Sequence, residues 1–94
     1  MFKIKMTPGN DIILSGRLDS LHSEKAMNIF EQVQETVTVD FENLEYISSA
    51  GLGVLIATQK RLENSGHQLK LKNLNKHIRE IFGYAGFDMI FEIN

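Results

Sequence analysis

The sequence predicts an α/β fold, with a mainly parallel β-sheet, an antiparallel edge strand and about three main helices in the order β-β-α-β-α-β-α-β. Strand-like segments with β-branched or alternating apolar residues alternate along the chain with helix-like segments, in which apolar residues recur every three or four positions. The short connection between the first two strands contains a Pro-Gly turn over residues 7–10, which favours an antiparallel pair. Helix-length connections between the later strands favour right-handed parallel crossovers. All 94 residues are expected to form a single domain, residues 1–94.

Alternation and β-branched content define the strands. Five segments are predicted as strands, and they cover residues 2–6, 12–14, 36–41, 67–72 and 87–93. The second strand is expected to end at Ser15-Gly16 and to lead into a loop over residues 17–20. Residues 42–48 are expected to connect the third strand to the next helix. Because carboxyl ends of parallel strands carry ligands and partners in such sheets, these two connections become candidates for the functional site.

Apolar periodicity defines the helices. Three segments are predicted as helices, running from about residue 20 or 22 to 34, from 49 to 64 and from about 75 to 84. The inward-facing residues of the first are expected to be Leu21, Ala26, Ile29, Phe30 and Val33. Those of the second are expected to be Leu52, Leu55, Ile56 and Leu62, and those of the third Ile78, Ile81 and Phe82.

Composition excludes several classes of function. The chain has no cysteine, so it forms no disulfide, thiol nucleophile or Cys–metal site. A net charge of −2 gives no electrostatic case for binding nucleic acid. No apolar run approaches the roughly 20 residues of a membrane span, so membrane insertion is not expected. We expect no metal and no cofactor, a cytoplasmic location, and a monomer when the protein is free.

The run ISSAGLGVLI, residues 47–56, is the most informative segment because it joins the strongest strand to the second helix. Ser49 is expected at the N-cap or just before it, where a hydroxyl accepts from a backbone N–H of the first turn. Unpaired N–H groups and the positive end of the helix dipole also favour a phosphate there. Four roles are open for such a serine: cap, nucleophile, anion ligand or site of phosphorylation.

Sequence context removes two of these roles. A phosphate-binding loop needs a lysine directly after its glycines, and the first one here is Lys60. No histidine is placed to activate Ser49 as a nucleophile. Ser48 adds a second hydroxyl that a single cap does not need. Gly51 and Gly53 each cost the helix about 0.5–1 kcal/mol relative to alanine, which indicates close packing on the sheet, an approach surface for another protein, or both.

Two further groups have alternative interpretations. Asp19 either caps the first helix or is solvated, or it hydrogen-bonds Ser49 or a partner across the gap. A modest basic cluster is either a solvated face or a docking site, and it consists of Lys70, Lys72, Lys76 and Arg79. His22, His67 and His77 lack metal-ligand spacing and are expected to have surface or helix-end roles.

Together these motifs resemble a known family. The run DFENLEYISSAGLGVL, residues 40–55, resembles the signature of STAS domains, which are the domains of bacterial anti-sigma-factor antagonists. GRLD at residues 16–19 is similar to the family's G-x-L-D after the second strand. LKL at 69–71, IREIF at 78–82 and AGF at 85–87 are similar to its C-terminal half. The resemblance covers nearly the whole chain and implies a single STAS-like domain.

The resemblance also implies a function. In that family a partner that is both anti-sigma factor and serine kinase phosphorylates the serine before the [SA]-G-L motif, which here is Ser49. Ser48 takes the position of the family's usual aspartate and is the alternative phosphorylation site. The chain would be a substrate and binding module rather than an enzyme, with a serine phosphatase restoring it. The partner-binding residues implied are Asp19, Tyr46, Ser48, Ser49, Ala50, Gly51 and Gly53. The alternative is an interaction subunit of another signalling assembly or of a lipid or anion transporter complex.

Overall fold

Five strands form one mixed sheet in the order β1-β2-β3-β4-β5. The computed structural model describes residues 1–94. β1 (Lys3–Met6) pairs antiparallel with β2 (Asp11–Leu18), and the remaining pairs are parallel. β3 (Val37–Ile47), β4 (Leu69–Lys72) and β5 (Glu92–Ile93) complete the sheet. The predicted order of elements, the parallel sheet and the antiparallel edge strand are therefore confirmed.

The three helices lie on one face of this sheet. α1 (Ser23–Phe30), α2 (Ser49–Glu63) and α3 (Lys76–Tyr84) each connect two neighbouring parallel strands. Every crossover advances in the same direction across the sheet, so right-handed connections place all three helices on the same side. None of the helices has the length and apolar content needed to span a bilayer.

Strand residues alternate between this helical face and an open face. Val37, Val39 and Phe41 of β3 are buried, whereas Thr38 and Asp40 between them are partly exposed. The buried side chains join those of the helices in one cluster of 21 residues. Near α3, Phe82 meets Phe41 edge-on at 6.0 Å between ring centroids. One apolar layer thus holds the helices to the sheet.

Both strands that lead to the candidate site are longer than predicted. β2 continues to Leu18 and β3 continues to Ile47, so the expected loop at 17–20 and connection at 42–48 are largely wrong. The parallel β2–β3 register shifts twice, between Ile13 and Ser15 and between Gly16 and Arg17. Such bulges break the alternation of buried and exposed residues while the strands remain paired.

The remaining boundary differences are local. α1 is shorter than predicted, and Leu21 lies before it with 82% of its surface exposed, so its place on the apolar face was wrong. In α2, Leu55 and Leu62 are buried as predicted, whereas Leu52 and Ile56 are half-buried. Residues 87–93 do not form one strand. A 3₁₀ turn over Phe87–Met89 follows Gly86, and only Glu92–Ile93 pair with β4.

Candidate functional site

The candidate site lies where the carboxyl ends of β2 and β3 meet the N-terminus of α2. Leu18 and Ile47 are the last paired residues of the two strands. The Ser48 N–H donates to the Leu18 carbonyl at 2.9 Å, which continues the pairing by one more hydrogen bond. The chain then turns into α2. As predicted, the segment after β2 and the start of α2 lie at the same end of the sheet.

Ser48, rather than Ser49, caps α2. Ser48 has an extended backbone conformation, and its Oγ accepts from the Gly51 N–H at 3.2 Å. The Ser48 carbonyl also accepts the first helical hydrogen bond, from the Leu52 N–H at 2.9 Å. The expectation that Ser49 is the cap or precedes it is therefore wrong. The reason is that β3 runs to Ile47, which fixes Ser48 as the one extended residue between strand and helix.

Ser49 is the first residue of the helix and is exposed. Its hydroxyl makes no hydrogen bond within the protein. The backbone N–H groups of Ser49 and Ala50 also have no acceptor within the protein. The first turn of α2 contains no acidic side chain, so no carboxylate of the helix itself compensates the positive end of its dipole. A negative group on the Ser49 hydroxyl would meet a favourable field and free donors.

The two glycines of the motif have different surroundings. Gly51 is buried, and an added Cβ would lie 2.8 Å from Leu18 Cγ, 2.9 Å from Ile47 Cγ1 and 3.0 Å from the Leu18 carbonyl oxygen. Gly53 is exposed, and an added Cβ would meet nothing within 4 Å. Close packing on the sheet therefore explains Gly51. It does not explain Gly53, because no contact within this chain requires a glycine there, although glycine makes the helix less stable than alanine would.

Gly16 sets the path of β2 toward the site. Its φ of +84° belongs to the region that glycine adopts readily, and an added Cβ would overlap the Met1 carbonyl. The second register shift follows directly after it. Without that shift Arg17 would pair with Glu45, whereas in the structure it pairs with Tyr46.

Asp19 interacts with His22 and not with Ser49. Its Oδ1 accepts from the His22 backbone N–H at 3.2 Å and lies 2.7 Å from His22 Nδ1. This hydrogen bond from the ring holds the pKa of Asp19 below its usual value, although slight burial opposes the shift. Because an ionised carboxylate only accepts, Nδ1 must carry the proton. Asp19 thus closes the turn before α1, and its second oxygen remains without a partner in the chain.

Arg17 and Tyr46 form a pair that the sequence analysis did not identify. The guanidinium carbon of Arg17 lies 4.3 Å from the centroid of the Tyr46 ring. Arg17 is exposed and Tyr46 is half-buried. Tyr46 was predicted as a contact residue without a mechanism, and its ring supports the arginine. The signal in the sequence was an arginine and an aromatic residue near the ends of two neighbouring strands.

The other polar groups singled out by sequence do not join the site. Lys72 pairs with Asp11 at 3.5 Å and Lys70 with Glu92 at 3.9 Å, so the basic cluster is largely engaged by its neighbours and fits a solvated face. The three histidines stay apart, and the structure holds no group of three or more His, Cys, Asp or Glu side chains suited to a metal.

Comparison with known proteins assigns the fold to a family. The family model described as "Mlab, STAS domain" matches residues 7–92. BtrV of Bordetella bronchiseptica is 34% identical to this chain over 82 residues, and its name assigns it provisionally to the anti-sigma factor antagonists. The match covers 87% of this chain and 70% of the length of BtrV. The anti-sigma-B factor antagonist of Bacillus subtilis is 31% identical over 71 residues, covering 76% of this chain and 64% of its own.

Solved structures show the same fold. The anti-sigma factor antagonist SpoIIAA in its unphosphorylated form matches with a TM-score of 0.71 and 21% identity, over 100% of this chain and 87% of that one. The phosphorylated form of SpoIIAA, described as a Bacillus cell fate determinant, matches with a TM-score of 0.70 and 22% identity, over 100% and 91%. The family model and the relatives of at least 30% identity show that the chain belongs to the STAS domain family and, within it, to the anti-sigma factor antagonists.

Proposed function

We propose that this protein binds an anti-sigma factor that is also a serine kinase, and that phosphorylation of Ser49 ends this binding. The unphosphorylated form would hold the kinase and so release a sigma factor. A serine phosphatase would return the protein to its binding form. In this cycle the chain is a substrate and a binding module.

The proposal rests on the different hydrogen bonding and exposure of the two serines. The Ser48 hydroxyl is engaged as the cap of α2, whereas the Ser49 hydroxyl is exposed and has no partner. A kinase can therefore reach Ser49 without first breaking a hydrogen bond of the fold. Modification of Ser48 would remove a cap that stabilises the helix by about 1 kcal/mol.

The position of Ser48 also accounts for its departure from the family's usual aspartate. Serine and aspartate are both good N-cap residues because each offers an oxygen to the first-turn N–H groups. The substitution keeps the cap and removes one negative charge next to Ser49. The uncharged neighbour leaves more of the helix dipole available to a phosphate.

The docking surface that we propose consists of Asp19, Tyr46 and residues 48–53. Ala50 and Gly53 support this assignment because they remove bulk from the exposed start of α2. Gly53 is the more informative, since the fold itself has room for a side chain there. An approaching partner would use the space that a Cβ would occupy. Gly51 contributes indirectly by letting the helix start close against Leu18 and Ile47.

Phosphorylation would act through charge and bulk at this surface. A phosphate adds about −1.5 to −2 charges at neutral pH. To convert a complex from about 99% bound to about 1% bound, the modification must weaken binding by roughly 10⁴-fold, or about 5.5 kcal/mol. A close-fitting partner would lose the contact with Ser49 and also meet a new charge, while the free N–H groups of Ser49 and Ala50 stabilise the modified form of the free protein.

The first experiment locates the modification. Wild type, Ser49→Ala and Ser48→Ala are incubated with the purified kinase and ATP, and the phosphate is placed by mass spectrometry. We expect phosphate on Ser49 in the wild type and in Ser48→Ala, and none in Ser49→Ala. Phosphate on neither serine would remove the switch, and phosphate on Ser48 alone would reassign it.

The second experiment measures binding with matched variants. Ser49→Asp should bind the kinase much more weakly than Ser49→Asn, because the two side chains have similar size and differ in charge. Equal binding by Ser49→Asp and the wild type would contradict the proposal. Gly53→Ala is a control of a different kind: it should fold more stably than the wild type and still bind more weakly.

A further inference from the structure

Arg17 differs from the other arginines of the chain. The sequence contains three, and two of them donate to backbone carbonyls: Arg61 to Phe30 at 2.8 Å and Arg79 to Asn94 at 3.3 Å. Arg17 has no hydrogen bond or ion pair within the protein. Its N–H donors are free although its position is restrained by Tyr46.

The contact with Tyr46 prepares the guanidinium for a ligand. The five N–H donors of a guanidinium point outward in its plane, and those of Arg17 have no acceptor within the protein. The contact with the ring restrains Arg17 and so reduces the conformational entropy that it would lose on binding. A planar fork of donors matches the two oxygens of a carboxylate.

The pair lies beside the proposed docking surface. Arg17 directly precedes Leu18, whose carbonyl accepts from the Ser48 N–H. Tyr46 precedes Ser48 by two residues, so their Cα atoms are within about 7.6 Å of each other. Because Arg17 and Tyr46 each precede a buried residue, Leu18 and Ile47, their side chains lie on the open face of the sheet. A partner that contacts both the start of α2 and Arg17 must therefore extend over this end of the sheet.

We propose that Arg17, restrained by Tyr46, binds a carboxylate of the partner protein and determines which partners dock at this surface. The occupant is an Asp or Glu side chain, because the free donors form a charged fork and no acidic group of this chain reaches them. The identity of the partner rests on the proposed function, whereas the carboxylate site itself does not. Tyr46 is a positioning residue in this arrangement.

The site is tested first without the partner. Hexaglutamate is titrated into the wild-type protein while the side-chain Nε–Hε resonances of the three arginines are followed by NMR. We expect the Arg17 resonance to shift further and at lower peptide concentration than those of Arg61 and Arg79. Tyr46→Leu should weaken this response, since it keeps an apolar side chain and removes the ring face. Equal shifts of all three arginines would overturn the proposal, whether or not Ser49 is a switch.

The second test measures affinity for the anti-sigma factor kinase. Arg17→Ala should weaken binding by about tenfold or more, as expected for an interface arginine, and Arg17→Glu should weaken it further. Arg17→Lys should fall between wild type and Arg17→Ala because lysine keeps the charge without the fork. Lys60→Glu, an exposed charge reversal in the last turn of α2, is the matched control and should bind as the wild type does.

The salt dependence supplies a readout that a purely structural role would not change. Binding of wild type should weaken with added salt more steeply than binding of Arg17→Ala. The Tm values of the two free proteins should differ only by the few degrees expected for the loss of one exposed cation–π contact. Kinase binding by Arg17→Ala and Arg17→Glu within twofold of wild type would overturn the proposal. If Ser49→Asp binds the kinase as tightly as the wild type does while Arg17→Ala binds it more weakly, the phosphorylation switch is wrong and the carboxylate site is supported.

Discussion

Replacement of the two glycines of α2 by alanine, one at a time, separates packing from helix propensity. Gly51 and Gly53 lie two positions apart in the same helix, and only Gly51 faces the sheet. Alanine at either position should gain about 0.8–1.0 kcal/mol of helix propensity. At Gly53 nothing opposes this gain, because the new Cβ has no neighbour within 4 Å. Gly53→Ala is therefore expected to be more stable than the wild type by nearly that amount.

At Gly51 the gain is opposed by crowding. The new Cβ would lie 2.8 Å from Leu18 Cγ and 2.9 Å from Ile47 Cγ1, which are atoms in the middle of buried side chains. It would also lie 3.0 Å from the Leu18 carbonyl oxygen, which already accepts from Ser48. Overpacking of this kind costs about 1–3 kcal/mol. The net expectation is a destabilisation of about 1 kcal/mol relative to wild type.

The difference between the two alanine variants is the quantity to measure, since the propensity gain largely cancels from it. Urea unfolding followed by far-UV circular dichroism should give Gly51→Ala a free energy of unfolding about 1–3 kcal/mol below that of Gly53→Ala, with equal slopes. In a domain of this size each kcal/mol corresponds to about 4–8 °C in Tm. Equal stabilities, or a Gly51→Ala variant more stable than the wild type, would refute the packing argument.

Two more predictions concern groups away from the glycines. Gln59→Leu should lower the free energy of unfolding by about 1–3 kcal/mol in the same urea assay, because it leaves the buried Leu69 N–H without its acceptor at 2.8 Å. Thr58→Val should be close to neutral, because it removes only a donor, the hydroxyl that bonds the Val54 carbonyl. Near-equal losses for the two variants would contradict this. The Asp19 carboxyl should titrate below its ordinary pKa of 3.8 in wild type and return toward 3.8 in His22→Ala, as followed by NMR of its carboxyl carbon. Because the folded-state pKa is the lower one, the stabilisation from Asp19 is present above the unfolded-state pKa and disappears as the pH falls through the folded-state value. An unchanged midpoint in His22→Ala would contradict the assigned hydrogen bond.

The order of elements was predictable because it depends on local apolar periodicity. The ends of β2 and β3 were not, since they depend on bulges that form only when the two strands pair. At the first of them, Asp40 Oδ1 accepts from the Glu42 N–H at 2.9 Å. Glu42 and Asn43 are both exposed at this bulge, so this part of β3 has a polar sequence typical of a loop although it is paired with β2.

The candidate site was predictable as a segment but not in its atomic assignments. Either Ser48 or Ser49 could have capped α2, and the choice depends on the residue at which β3 ends. The contact between Arg17 and Tyr46 exists only because the register shifts after Gly16. A single residue of register, which sequence periodicity does not resolve, thus decides which hydroxyl is free and which side chain supports the arginine.

The most direct test measures binding to the anti-sigma factor kinase by isothermal titration calorimetry. It compares the unphosphorylated protein with the protein phosphorylated only at Ser49. We expect phosphorylation to weaken binding by at least about a hundredfold, and toward the roughly 10⁴-fold of a complete switch, while the circular dichroism spectrum of the free protein stays the same. Dissociation constants within about threefold of each other, a difference under 1 kcal/mol, would contradict the central claim that the free hydroxyl of Ser49 is the switch.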